Sequence, residues 1–94
     1  MRLAWLPAAW RSLNAQLDYI AQDSPVAAVG QGDRVMQAAA RLADFPESGR
    51  VGRVLGTREL VVGGTPFIIA YRVREADVVI LRVLHGAQRW PSAF

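Results

Sequence analysis

"TRELVVGGTPFIIAYRVREADVVILRVLH", residues 57–85, decides the fold of this chain. It divides into three runs, "TRELVV" (57–62), "PFIIAYRVR" (66–74) and "DVVILRVLH" (77–85), each rich in branched or aromatic residues. Such side chains suit a pleated, half-buried surface. The joins, "GGT" and "EA", are of hairpin length. Three runs so connected predict an antiparallel meander. Because side chains alternate along a strand, each run also has two faces. Arg58, Leu60 and Val62 share one face of the first. In the second, Phe67, Ile69, Tyr71 and Val73 oppose Ile68, Ala70, Arg72 and Arg74. In the third, Val79, Leu81, Val83 and His85 oppose Val78, Ile80, Arg82 and Leu84. The first-named set of each is expected to face the core, which leaves Arg72, Arg74 and Arg82 on a basic, half-apolar face. His85 joins Arg82 only if the strand bulges or ends between Leu84 and Gly86.

Upstream, "RLAWL" (2–6) is apolar enough for a first strand. From Pro7 to about Asp23 the period becomes helical, with Trp10, Leu13, Leu17 and Ile20 at steps of three and four. "DSP" then ends one helix and starts another, with Ser24 as N-cap and Pro25 in the first turn. The second helix is expected to run to about Phe45. Its stripe is Val26, Val29, Met36, Ala40 and Ala43, with Val35 and Leu42 beside it. Gly30 and Gly32 mark either a kink or a close helix–helix approach, and the short join predicts an antiparallel helical hairpin. "FPESGRVGRVLGT" (45–57) is irregular and carries Arg50 and Arg53. The expected fold is α+β, in the order β-α-α-β-β-β. A helical hairpin packs on one face of a twisted antiparallel sheet that the first strand joins. Residues 1–94 form one domain.

Composition narrows the chemistry. Without cysteine there is no disulfide and no thiolate metal site, and one histidine cannot make a multi-histidine zinc site. The expectation is no metal and no cofactor. No run approaches the ~20 apolar residues of a membrane span, and "MRLAWLPAAWRSL" lacks a signal-peptide pattern, so a soluble cytoplasmic protein is expected. All eleven basic residues are arginine, giving a net charge of +3. Coding bias explains this as readily as function does. A functional explanation is that guanidinium groups suit phosphates, carboxylates and aromatic faces. Arg50, Arg53, Arg58, Arg72, Arg82 and Arg89, with His85, form the one constellation capable of chemistry. They can hold a phosphodiester while His85 moves a proton, or bind an acidic protein surface. Alternatively they are solvated strand arginines, some paired with Glu59, Glu75 or Asp77. Trp90 and Phe94 either pack on the sheet edge or stack a base.

"GTRELVVGGTPFIIAYRV" (56–73) followed by "VVILRVLHGAQRWP" (78–91) resembles the C-terminal half of RelE/ParE-type toxins of bacterial toxin–antitoxin modules. "YIAQDSPVAA" (19–28) and "LADFPESGRVGR" (42–53) are similar to that family's helix junction and post-helix loop. The resemblance implies a growth-inhibiting toxin, of a kind associated with plasmid stabilisation, in a hetero-oligomer with a cognate antitoxin that covers its functional surface. Two mechanisms are implied. RelE-like members cut mRNA in the ribosomal A site, whereas ParE-like members poison DNA gyrase. For a nuclease, the resemblance makes Arg58, Arg82 and His85 the catalytic candidates. The partner-binding candidates are Arg50, Arg53, Arg72, Arg74, Arg89 and Trp90. The chain lacks both a C-terminal tyrosine and lysines, which leaves a thin acid–base set. That shifts the expectation toward the ParE-like mechanism, with the ribosome-dependent mRNA endonuclease as the alternative. A third reading is a non-toxic binding module on the same scaffold.

Overall fold

In the computed structural model, which describes all residues from Met1 to Phe94, the chain forms five strands and two helices. They are β1 (Arg2–Trp5), α1 (Pro7–Asp23), α2 (Pro25–Arg41), β2 (Arg50–Val51), β3 (Arg58–Val61), β4 (Phe67–Arg74) and β5 (Asp77–His85). The α+β architecture is the expected one, with two additions. The loop after α2 contributes the short strand β2, antiparallel to β3. β1 pairs in parallel with β5, so the sheet is mixed rather than wholly antiparallel, in the order β1-β5-β4-β3-β2. No helix is long and apolar enough to cross a membrane.

Local chemistry sets the helix boundaries. Ser24 Oγ accepts a hydrogen bond from the Ala27 N–H at 3.1 Å, and Pro25 opens α2. α2 ends at Arg41, short of the expected Phe45. Phe45 precedes Pro46, and a residue before proline is driven out of the helical region. The expected apolar stripe of α2 also needs correction. Val26 and Val29 are 84% and 66% exposed, while Ala28, Val35, Ala38, Ala39 and Leu42 are buried. The small residues win the inner face because they let α2 approach its neighbours closely. Gly32 marks that approach, since an added Cβ would sit 3.1 Å from Leu17 Cδ1, whereas Gly30 has open space around it.

The core lies between the hairpin and the sheet, where Leu13, Val35 and Leu42 meet Phe67, Ile69, Tyr71, Val78, Ile80 and Val83. Trp5 and Trp10 stack beside it with centroids 4.2 Å apart. Strict alternation fails in β5. Ala70 pairs with Arg82 but Tyr71 pairs with Ile80, leaving Leu81 as an extra residue. This β-bulge shifts the phase, so Val78 and Ile80 enter the helix-side core in place of Val79 and Leu81. The opposite face is not fully open. Beyond β5 the C-terminal segment returns over it, setting Trp90 against Arg53 and Phe94 near Arg82.

Candidate functional site

The face away from the helices carries a row of side chains in register across four strands. Arg50 on β2 lies beside Glu59 on β3, then Ala70 on β4, then Arg82 on β5. At about 4.8 Å between strands, the row spans roughly 14 Å. Ala70 is fully buried and has little side chain, so the charged groups gather at the two ends.

Glu59 is the hub of the β2–β3 end and is only 3% exposed. Its Oε1 accepts from Arg50 Nε at 3.3 Å, Arg50 Nη2 at 2.9 Å and Arg53 Nη2 at 3.1 Å. Its Oε2 accepts from the Arg53 backbone N–H at 2.7 Å and Arg53 Nε at 3.1 Å. Burial pushes the carboxyl's pKa up, but the hydrogen bonds from Arg53 and Arg50 and the Arg53 charge outweigh it and hold it below the usual value. Taking a charge out of water is tolerable only with such complete pairing. Glu59 is therefore an ionised anchor whose acceptor sites are occupied, and not a general base. On its outer side the Arg53 guanidinium stacks on Trp90, 3.7 Å from the ring centroid.

The remaining arginines of this face are less engaged. Arg82 donates from Nη1 to the Leu81 carbonyl at 2.9 Å, and its guanidinium lies 5.6 Å from the Phe94 ring. Arg72 has a buried Nε with no hydrogen-bond partner, as has the Trp90 indole nitrogen. Arg74 lies across from Asp77, yet Asp77 bonds Arg2 instead. Arg89 is exposed on the C-terminal segment.

Arg58 and His85 stand on the helix side. Arg58 donates from Nη1 to the Gly49 carbonyl at 2.8 Å. Its cross-strand partner Tyr71 pins the same loop, accepting from Gly49 N–H at 2.9 Å and donating to the Pro46 carbonyl at 2.7 Å. Burial pushes the Tyr71 phenol's pKa upward, so it stays protonated and able to donate. His85 ends β5 with its ring edge-on to Phe67, at 6.3 Å between centroids. Its Nδ1 accepts from the Ala87 N–H at 3.1 Å, which leaves the proton of the neutral ring on Nε2. The ring lines a mainly apolar hollow of about 320 Å³ with Gln16, Tyr19, Ile20, Gln31 and Phe67, and no carboxylate lines it.

Arg58, Arg82 and His85 therefore do not converge. Arg82 is on the other face from His85. Arg58 and His85 pair with Tyr71 and Phe67, four residues apart on β4, or about 13 Å at 3.3 Å per residue. Of the partner-binding candidates, Arg50, Arg53 and Trp90 do come together. The residue that joins them is Glu59, which the sequence offers only as one of three pairing partners for solvated arginines and not as part of a site. The signal was present in "RELVV", where a lone acid interrupts an apolar strand within reach of the arginines before it.

Residues 3–90 match the family model described as the ParE toxin of the type II toxin–antitoxin system parDE. The chain is 40% identical over 87 residues to Toxin RelE2 of Caulobacter vibrioides, covering 93% of this chain and 97% of that protein. It is 44% identical over 91 residues to Y4kP of Sinorhizobium fredii, whose toxin name is itself provisional, covering 97% and 94% of the two chains. In three dimensions it is similar to a chain of the chromosomal ParDE toxin–antitoxin system from P. aeruginosa. The TM-score is 0.80 at 27% identity, over 90% of this chain and 95% of that one. A match running from β1 to the C-terminal segment, on a sheet and hairpin of the same arrangement, leaves one conclusion: the chain belongs to the ParE toxin family of type II toxin–antitoxin systems.

Proposed function

We propose that this toxin is neutralised by a cognate antitoxin and acts by a ParE-like, non-nucleolytic mechanism with DNA gyrase as its target. The observation that carries the choice is the scattering of the acid–base candidates. Cleaving RNA needs a base for the 2′-OH and an acid for the leaving oxygen within hydrogen-bond reach of one site. Here His85 is on the helix side, Arg82 is on the other, and Glu59 is held ionised by two arginines. A protein that works by binding needs no such convergence. The test is purified protein in a gyrase supercoiling assay. Inhibited supercoiling or trapped cleaved DNA is expected, and normal supercoiling at saturating toxin would count heavily against this reading.

The ribosome-dependent mRNA endonuclease remains the second reading, favoured by the 40% identity to a protein named Toxin RelE2. It predicts that induced expression stops translation before replication. The binding-module reading predicts harmless expression. For the antitoxin, the groove between α1 and α2, lined by Leu17, Ala21, Pro25, Ala28 and Val29, supports the docking of an amphipathic segment. Exposed Val26 and Met36 extend that apolar surface along α2. The arginines of the sheet's other face then meet the antitoxin's acidic residues.

A further inference from the structure

We infer that Glu59 is a positioning residue that holds Arg50 and Arg53 as a two-pronged clamp for a carboxylate of an acidic, partly apolar protein segment. The inference deepens the antitoxin reading and rests on it for the class of partner. A guanidinium has five N–H donors. Arg50 engages Glu59 through Nε and Nη2, and Arg53 does so through Nε, Nη2 and its backbone N–H. Neither Nη1 group is used. The arginine side chains are 54% and 47% exposed, against 2% for Glu59. The carboxylate is thus the buried anchor, and about half of each arginine side chain stays open to solvent. Trp90 backs the Arg53 plane and limits its rotation. Arginine normally loses much rotamer freedom on binding, and here that loss is largely incurred before a partner arrives.

The surroundings select the ligand. With Glu59 included, the trio carries a net charge of only +1. Leu55 is 95% exposed just beyond Arg53, and Val61, on the same face as Glu59, is 56% exposed. A nucleic-acid backbone offers nothing to pair with these aliphatic groups. A segment alternating acidic and apolar residues satisfies both, and arginine and tryptophan beside apolar neighbours is the composition of protein interfaces. Guanidinium also binds carboxylate in two-point geometry.

The test titrates the isotopically labelled, full-length protein with three probes: a peptide alternating Glu and Leu, its Gln–Leu counterpart, and oligothymidylate. The Glu–Leu peptide is expected to bind preferentially, to shift the Arg50 and Arg53 Nε–H and Trp90 indole resonances, and to weaken with salt. Glu59→Gln is expected to weaken it about tenfold, the scale of one charge-assisted hydrogen bond. The double variant Arg50→Lys, Arg53→Lys keeps the charge but loses the fork, and a similar loss is expected. If Glu59→Gln does not fold, the double variant decides. Equal binding of the Gln–Leu peptide, preference for oligothymidylate, or wild-type affinity in the double variant would overturn the clamp. Failure of the antitoxin reading is seen elsewhere, as toxicity that no co-expressed antitoxin relieves, and leaves these titrations unchanged.

Discussion

At the β2–β3 end of the sheet polar groups converge, whereas at the far end of β4–β5 a polar group stands almost alone. Glu59 collects five hydrogen bonds from two arginines, and nearby Tyr71 and Arg58 fasten the Pro46–Gly49 loop from the other face. At the other end, His85 meets an aromatic edge and the backbone N–H of Ala87. Residue type alone favours the histidine as the chemical group. Geometry favours the glutamate as the organising one. A titratable side chain acquires a role from the partners held around it, and the β2–β3 end holds many more.

The largest expected effect breaks that end outright. At Gly49 an added Cβ would lie 2.5 Å from the Tyr71 hydroxyl and 2.9 Å from the Glu59 carbonyl, and neither has room to withdraw. Gly49→Ala is expected to cost about 3 kcal/mol, read as a lower denaturant midpoint. Tyr71→Phe is gentler in shape but leaves the Gly49 N–H and the Pro46 carbonyl without their partner. A cost of about 2 kcal/mol is expected from the same measurement.

Glu59→Gln comes next and has a pH signature. The folded carboxyl titrates below its ordinary 4.5, so the folded state binds its proton less readily than the unfolded chain does. The stabilisation is therefore present above about that pH and disappears as pH falls from 4.5 through the lowered folded value. Both arginines are about half exposed, and solvent screens their attraction. The expected loss at neutral pH is then near the low end of the charged hydrogen-bond range, about 1.5 kcal/mol. Wild type and variant should converge in stability as pH falls from 4.5 through the lowered folded value. A constant gap across pH would break the account of Glu59 as an ionised anchor.

Most of the fold was legible because its determinants are local. "DSP" specifies a helix junction through one hydroxyl and one proline ring, and the three β-rich runs specify their pairing through short joins. Three features were not. The bulge at Leu81 arises from pairing with β4, and no residue in "VVILRV" announces it. The buried stripe of α2 is made largely of alanines, which hydrophobic periodicity ranks below the exposed valines. The parallel docking of β1 on β5 joins segments more than seventy residues apart, as in the pairing of Arg2 with Asp77. Of the site, the arginines were visible as a set. Which of them meet depended on β2, a two-residue strand inside a loop that looked irregular.

His85→Ala carries the smallest expected effect and separates the two ends most directly. The ring is partly exposed and contributes one edge contact to Phe67, so a stability loss of about 1 kcal/mol or less is expected. Its bond from Ala87 is at the surface, where water can replace it. Under the non-nucleolytic reading the variant should still arrest growth when expressed without antitoxin. A folded His85→Ala protein that no longer arrests growth would move the chemistry to the hollow beside Gln16 and Gln31. Glu59 would then be an anchor for the antitoxin alone, and the two ends of the sheet would divide inhibition from neutralisation between them.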